Sequence, residues 1–416
     1  MREYHPRVRL ALDRIDLDRP IALLAAMAFI TQVGVAVMLP LLPLYAQSLG
    51  ASPAMLGLMV SGFAVALAVG QLASGFLTER WAARRLVVAG LSTYALANAA
   101  IAAATAAVQV VAFRALAGLG SGVNQVAERL YVTQVADRTR LAFANSLLSA
   151  AGSAGSVMGP TIGGLLAAFA DLRAPFIVVA LTSLAATIAG WFLPAPRARP
   201  VQGPAAPAGD PSPSAAPAPM PLPASTTSRL VVLFVVHLAF QTTFGAFITV
   251  FAPFGSERLG WSTAEIGLVF SMFGLGSVLL GPPLARVADR RGRRRFGMIG
   301  AALVFPFGLA FVMEAPRLLL YPVTVIAGAG VTTFEASWFA LLGDATEGGR
   351  RGRAFGTVVA LSSLGVALGA TVAAQLWERT GDAGLGMLAA SVTVAIAGLA
   401  LLAHPADRPE PRPEAG

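Results

Sequence analysis

LGASPAMLGL at residues 49–58 returns as LGWSTAEIGL at 259–268, an offset of 210 residues. The same offset carries Glu79-Arg80 onto Asp289-Arg290, and the AGLG of 117–120 onto the AGAG of 327–330. One register held over three separated blocks marks a duplicated chain of two homologous halves.

Around these blocks the chain is apolar from end to end, with 56% hydrophobic residues against 12% charged. Runs of membrane length are centred near residues 34, 65, 95, 120, 155 and 184, then 241, 272, 305, 330, 366 and 394. Most hold roughly 20 to 27 residues, which at 1.5 Å per residue cross ~30 Å of hydrocarbon. Twelve runs, six to a half, imply an all-α polytopic membrane protein built as two pseudo-symmetric six-helix bundles.

The chain has no cysteine and no lysine. Disulfides and thiol-bound metals are thereby excluded, and so is a phosphate-binding loop of the G-x-x-x-x-G-K-[ST] kind. The net charge of +9 comes from arginine, and its distribution points to lipid rather than nucleic acid. Arginines crowd the N-terminal arm and the even loops, for example Arg84 and Arg85, Arg138 and Arg140, Arg290 to Arg295, and Arg350 to Arg353. The odd loops hold only Arg173, Arg258, Arg317 and Arg379. By the positive-inside rule, both termini and all even loops are cytoplasmic. The expected organisation is a basic cytoplasmic arm (1–19), a first bundle (20–196), a disordered Pro/Ala-rich cytoplasmic linker (197–228), a second bundle (229–403) and a disordered tail (404–416). The first apolar run is too long for a cleavable signal, and no small-residue cleavage site follows it.

Three motifs resemble those of the major facilitator superfamily of transporters, over nearly the whole chain from 20 to 403. GFLTERWAARR at 75–85 and its repeat ARVADRRGRRR at 285–295 are similar to the family's G-x-L-A-D-R-x-G-R-K loop, with Glu79 in place of Asp in the first copy. RALAGLGSG at 114–122 is similar to R-x-x-Q-G-x-G, with Ala117 for Gln. GSVMGPTIGG at 155–164 matches G-x-x-x-G-P-x-x-G-G at every fixed position. The resemblance implies the major facilitator fold, and this last motif implies the antiporter branch, most like the twelve-helix drug:proton exporters.

The motifs also have a physical reading. Gly155, Gly159 and Gly163 lie at i, i+4 and i+8 and form one smooth strip, with Pro160 adding a kink and Gly164 completing the motif. In lipid such strips let helices approach closely. By the family's plan this one is expected to bear on the eighth span, at Gly274, Ser277 and Gly281. Glu79 and Asp289 are expected to sit at helix N-termini of the opposite half, where the macrodipole favours an anion. With Gly75, Arg80, Arg84, Arg290, Gly292 and Arg293 they would form a conformational latch; for Arg84 and Arg293 to Arg295, a purely topological role stands beside it.

Charges inside apolar helices are costly and tend to be functional. Arg114, Gly118, Ser121, Gln125 and Glu128 fall within about 40° of one line on the fourth span, a polar face that must look into the bundle. Arg114 serves either substrate orientation or carbonyl capping. Glu128 is either a proton carrier or half of an interfacial pair with Arg129. Glu335, the repeat partner of Gln125, is the internal acid of the second half and the first candidate for the coupling proton. Phe240, Phe244, Phe247, Phe251 and Phe254 form a stripe on the seventh span with His237 one turn earlier, either a substrate wall or packing filler. Gln32, Gln241 and Trp338 complete the cavity candidates.

These features lead to the expectation of a secondary active transporter in the bacterial inner (plasma) membrane, exporting small amphipathic organic molecules against protons. It needs no cofactor beyond the proton gradient, binds no metal or nucleic acid, and is expected to be monomeric. A proton-coupled uptake symporter is the alternative, disfavoured by the antiporter motif. An enzyme would need clustered catalytic groups, but the three histidines (His5, His237 and His404) are scattered. A receptor would not need the duplication.

Overall fold

The computed structural model describes residues 19–78, 80–135, 141–194, 224–346 and 351–404. In the first half the helices are α1 (Arg19–Met38), α2 (Leu42–Ser48), α3 (Pro53–Leu77), α4 (Ala83–Ala102), α5 (Ala107–Val135), α6 (Leu141–Phe169) and α7 (Ala174–Trp191). In the second they are α8 (Ala224–Glu257), α9 (Thr263–Leu279), α10 (Gly281–Arg291), α11 (Arg293–Val312), α12 (Arg317–Ala345), α13 (Arg351–Thr380) and α14 (Gly384–Ala400). Among the described residues nine helices are long and apolar enough to cross a membrane, and α9 with α10, bent by 41°, makes a tenth. The 29-residue helices α5 and α6 span about 44 Å at 1.5 Å per residue, and complete twelve. Helix α8 begins at Ala224, inside the stretch read as linker. The rest of that stretch, the arm before Arg19 and the tail after His404 lie outside the described residues.

The duplication governs the contacts as well as the residues. Ser52 caps α3 by accepting from the Met55 N–H at 3.4 Å, and Ser262 caps α9 by accepting from that of Glu265 at 3.3 Å. Each hydroxyl satisfies one of the N–H groups that a helix start leaves unpaired. Deeper in, Gly118 packs on the Phe63 carbonyl and Gly328 on the Phe273 carbonyl, both without room for a Cβ. All these pairs are related by 210.

The two halves do not meet evenly along their length. At the end away from the arginine-rich loops, one apolar cluster takes residues from both halves, among them Met38, Leu42, Tyr45, Phe251, Phe254 and Trp261. Toward the arginine-rich end the core divides. One cluster lies wholly in the first half, around Leu24, Leu86 and Tyr131, and another wholly in the second, around Leu233, Phe334 and Trp338. Among the described residues, the molecule is therefore closed at one end and parted at the other.

Candidate functional site

The second half encloses a cavity of about 220 Å³ between α8, α9, α11, α12 and α14. Phe240, Phe244, Phe247, Phe273 and Phe307 supply aromatic walls, Gln241 an amide, and Glu335 the charged group of the lining. Phe240 stacks on Phe334 at 3.9 Å between ring centres. The phenylalanine stripe is thus split. Phe240, Phe244 and Phe247 face the cavity, while Phe251 and Phe254 are fully buried in the closed end.

Behind the cavity wall Glu335 meets His237. Both carboxylate oxygens lie 3.3 Å from His237 Nε2, and Nδ1 lies 2.6 Å from Ser362 Oγ. The imidazole stacks on Trp338 at 3.7 Å, and Trp338 Nε1 donates to the Leu233 carbonyl at 2.8 Å. His237 is 4% exposed through its side chain and Glu335 27%, so only the acid reaches the cavity. Sequence reasoning found Glu335, His237 and Trp338 separately. It missed Ser362, since nothing in a run of small residues on α13 distinguishes one serine from the next.

The polar face of the fourth span has two parts. Arg114 and Gly118 pack on α3, with the guanidinium 3.9 Å over the Phe63 ring and Nε and Nη1 unpartnered. Further along, Gln125 Oε1 accepts from Gln71 Nε2 at 3.1 Å, and Glu128 accepts from Asn124 Nδ2 at 3.4 Å. Gln32 Nε2 donates to Ser156 Oγ at 2.9 Å, tying α1 to α6. Arg114 is one-twentieth exposed, because the close approach at Gly118 seals that end of the face against α3.

The glycine strip corrects the expectation drawn from the motif. Gly155, Gly159 and Gly163 lie against Phe29, Val33, Ala36 and Val37 of α1, inside the first half. The residues that face α9 are on the neighbouring edge of α6. Gly267 packs on the Pro160 carbonyl, Gly164 on Thr263, and Gly274 on Val157. Thr161 donates to Ser271 Oγ twice, from its N–H at 3.0 Å and from its hydroxyl at 2.8 Å. Ser277 instead donates to the Gly328 carbonyl, and Gly281 packs on Thr332, so both belong to the α12 contact. The i, i+4, i+8 pattern fixes a face, and its neighbour is α1.

The contacts of the loop motifs that the described residues show lie within one half. Glu79 lies outside the described residues, and Gly75 faces open space. Arg80 and Arg290 are exposed. Arg84 Nη2 donates to the Trp191 carbonyl at the end of α7. Among the described residues Asp289 pairs with Arg293 at 3.2 Å, and Arg293 also holds Asp344 at 2.6 Å. The helix start expected to meet Asp289, residues 142–145, has side chains outside the described residues. Gly292, at φ +111°, breaks α10 from α11 in a conformation that favours glycine.

A model of the Major Facilitator Superfamily matches residues 24–254 and 232–416. The chain belongs to that superfamily. Among its curated relatives is the multidrug resistance protein MdtG of Yersinia enterocolitica, 26% identical over 300 residues that cover 70% of each chain. The class C tetracycline resistance protein of Escherichia coli is 23% identical over 359 residues, covering 85% of this chain and 89% of that one. Other matches are partial: for an uncharacterized MFS-type transporter of Methanocaldococcus jannaschii, 26% identical, they span 42% of this chain and 46% of that protein. Among solved structures, the nucleoside transporter NupG superposes with a TM-score of 0.73 at 15% identity, over 92% of this chain and 99% of that one. A D-xylose-proton symporter gives 0.71 at 15%, over 92% and 96%. These two show the shared fold. This major facilitator protein is accordingly a multi-pass membrane transporter with two bundles and a closed end opposite its arginines.

Proposed function

We propose that this transporter is a proton-coupled exporter of small amphipathic organic molecules, working by alternating access. The observation that carries the reading is the cavity of the second half, where aromatic walls surround a single carboxylate, Glu335. Such a site suits an organic cation, held by ring faces and by the acid. A proton on Glu335 competes with that cation for the same charge, the minimum requirement for exchange. The relatives named as multidrug and tetracycline resistance proteins support export, and so does the G-x-x-x-G-P-x-x-G-G motif. On this reading the protein lies in the inner (plasma) membrane with its arginine-rich end and both termini on the cytoplasmic side, and the described conformation is open to the cytoplasm. Glu128, half-buried on α5, is the second candidate for a coupled proton.

The test is purified protein in vesicles with an imposed pH gradient and a fluorescent organic cation such as ethidium. Wild type is expected to move the dye against the proton gradient. Glu335→Gln should lose that coupling while still exchanging dye down its own gradient. Full coupling in Glu335→Gln would exclude the residue and pass the role to Glu128. A susceptibility panel on cells with and without the gene identifies the natural range of substrates.

A further inference from the structure

We propose that His237, Glu335 and Ser362 form a one-proton site, in which Ser362 fixes the imidazole tautomer and the coupling proton is held between His237 Nε2 and Glu335. The inference deepens the reading of Glu335 as the coupling acid and rests on it. Ser362 Oγ has two short contacts, the Val359 carbonyl at 3.1 Å and His237 Nδ1 at 2.6 Å. A hydroxyl carries one proton, and a carbonyl oxygen only accepts. Both contacts are satisfied together in one way: the hydroxyl donates to Val359, and Nδ1–H donates to the hydroxyl. A neutral imidazole with its proton on Nδ1 presents a bare lone pair at Nε2. That lone pair would lie 3.3 Å from each oxygen of Glu335. Two such groups repel unless a proton lies between them. The pair therefore holds one, as imidazolium with carboxylate or imidazole with carboxylic acid, two forms of the same singly protonated site.

The surroundings fit that assignment. Among the described residues, Glu335 is the charged side chain that meets the ring. Helix α12 otherwise brings Trp338 and Phe339 to it, and α13 brings Ser362. The Trp338 face at 3.7 Å favours a cationic ring, and its own N–H is spent on Leu233. Loaded, the site is neutral and cheap to occlude between rocking halves. Unloaded, it carries one negative charge, which faces the cavity through Glu335 and attracts a cation. Loading takes a proton from cavity water and forms one N–H or O–H bond; release returns it to water, and no other bond changes. Ser362 is a positioning residue. Without it the neutral ring is free to turn its proton to Nε2, satisfy the carboxylate and dispense with the extra proton.

The experiment is a nitrogen NMR titration of the full chain in detergent, with histidine labelled by ¹⁵N. There are three histidines, and His237 is assigned by its loss in His237→Gln. If that variant does not fold, a His5→Gln/His404→Gln double variant leaves His237 as the sole signal. Wild type should show Nδ1 protonated both in the loaded form, where a proton bridges Nε2 and Glu335, and in the unloaded form, where Nε2 is bare. Ser362→Ala should switch the neutral ring to the Nε2–H tautomer. Ser362→Thr keeps the hydroxyl and should keep the wild-type Nδ1–H tautomer. A wild-type ring that is Nε2–H when neutral, or a neutral ring still Nδ1–H in Ser362→Ala, overturns the proposal. If Glu335→Gln loses coupling while His237 fails in this way, the shared site falls and proton-coupled export stands. A His237 with the tautomers described, in a protein that does not couple, does the reverse.

Discussion

Arg84 Nη2 donates to the Trp191 carbonyl at 2.7 Å, and 210 residues later Arg294 Nε donates to that of Leu401 at 2.9 Å. Each guanidinium closes the last helix of its half, where unpaired carbonyls and the negative end of the macrodipole favour a cation. The arginines of the repeated loop motif thus tie the third span to the sixth, and the ninth to the twelfth. Arg84→Ala should cost about 1 kcal/mol, read as a fall of a few degrees in melting temperature in detergent. Arg85→Ala, with an exposed neighbouring side chain, should leave melting unchanged. Equal losses in both would show that the carbonyl contact is not what matters.

The two edges of α6 make separable predictions. A Cβ on Gly163 meets the backbone of Val37 within the first half, whereas one on Gly267 of α9 meets the Pro160 carbonyl across the closed end. Gly163→Ala should therefore lower the yield and melting temperature of the protein itself. Gly267→Ala should fold normally but open the end away from the arginines, lowering transport. Gly152 has nothing within 4 Å, and Gly152→Ala should be silent in both measurements. Transport loss without a stability loss in Gly163→Ala would return the strip to the interface between the halves.

The duplication was legible because it is a property of spacing, and spacing survives folding unchanged: Ser52 with Ser262, Gly118 with Gly328. Glu335 was legible because an acid in an apolar run stands out against its surroundings. The glycine strip was half legible, since helical period gives the face but not the neighbour that meets it. His237 and Ser362 are 125 residues apart and on helices joined only through the bundle, so no local pattern pairs them. The stripe of five phenylalanines hid its division, because the place where a cavity ends depends on how the two halves close.

The orientation read from the arginines is testable in a chain that lacks native cysteine. Arg290→Cys and Thr380→Cys both place a thiol at an exposed position, at opposite ends of the molecule. In intact cells Arg290→Cys should react only with membrane-permeant reagents, and Thr380→Cys with impermeant ones. The opposite pattern would invert the topology.

The closed end is held by few polar contacts, and they differ in kind. On one side Glu378 Oε2 accepts from the Ala54 N–H at 3.0 Å, placing a carboxylate on the first turn of α3 in the other half. Opposite, Ser271 takes both donors of Thr161, and the Thr263 hydroxyl donates to the Gly164 carbonyl at 3.1 Å. Gln47 Nε2 donates to Glu257 at 2.7 Å between them. All of these must break for the far end to open, and each contributes roughly 0.5–1.5 kcal/mol, with the carboxylate aided by the helix dipole. Removing one should shift the open-to-closed ratio about fivefold without disturbing either bundle. The reporter is Phe244→Cys, whose side chain lines the cavity and is 41% exposed as phenylalanine. In intact cells an impermeant thiol reagent should label it several-fold faster when Ser271→Ala or Glu378→Ala is added, and faster still with both. The two contacts lie on opposite sides of the interface and share no residue, so their effects should multiply. An unchanged labelling rate in the double variant would mean that the shared apolar cluster around Phe251 and Met38, and not these hydrogen bonds, decides when that end opens.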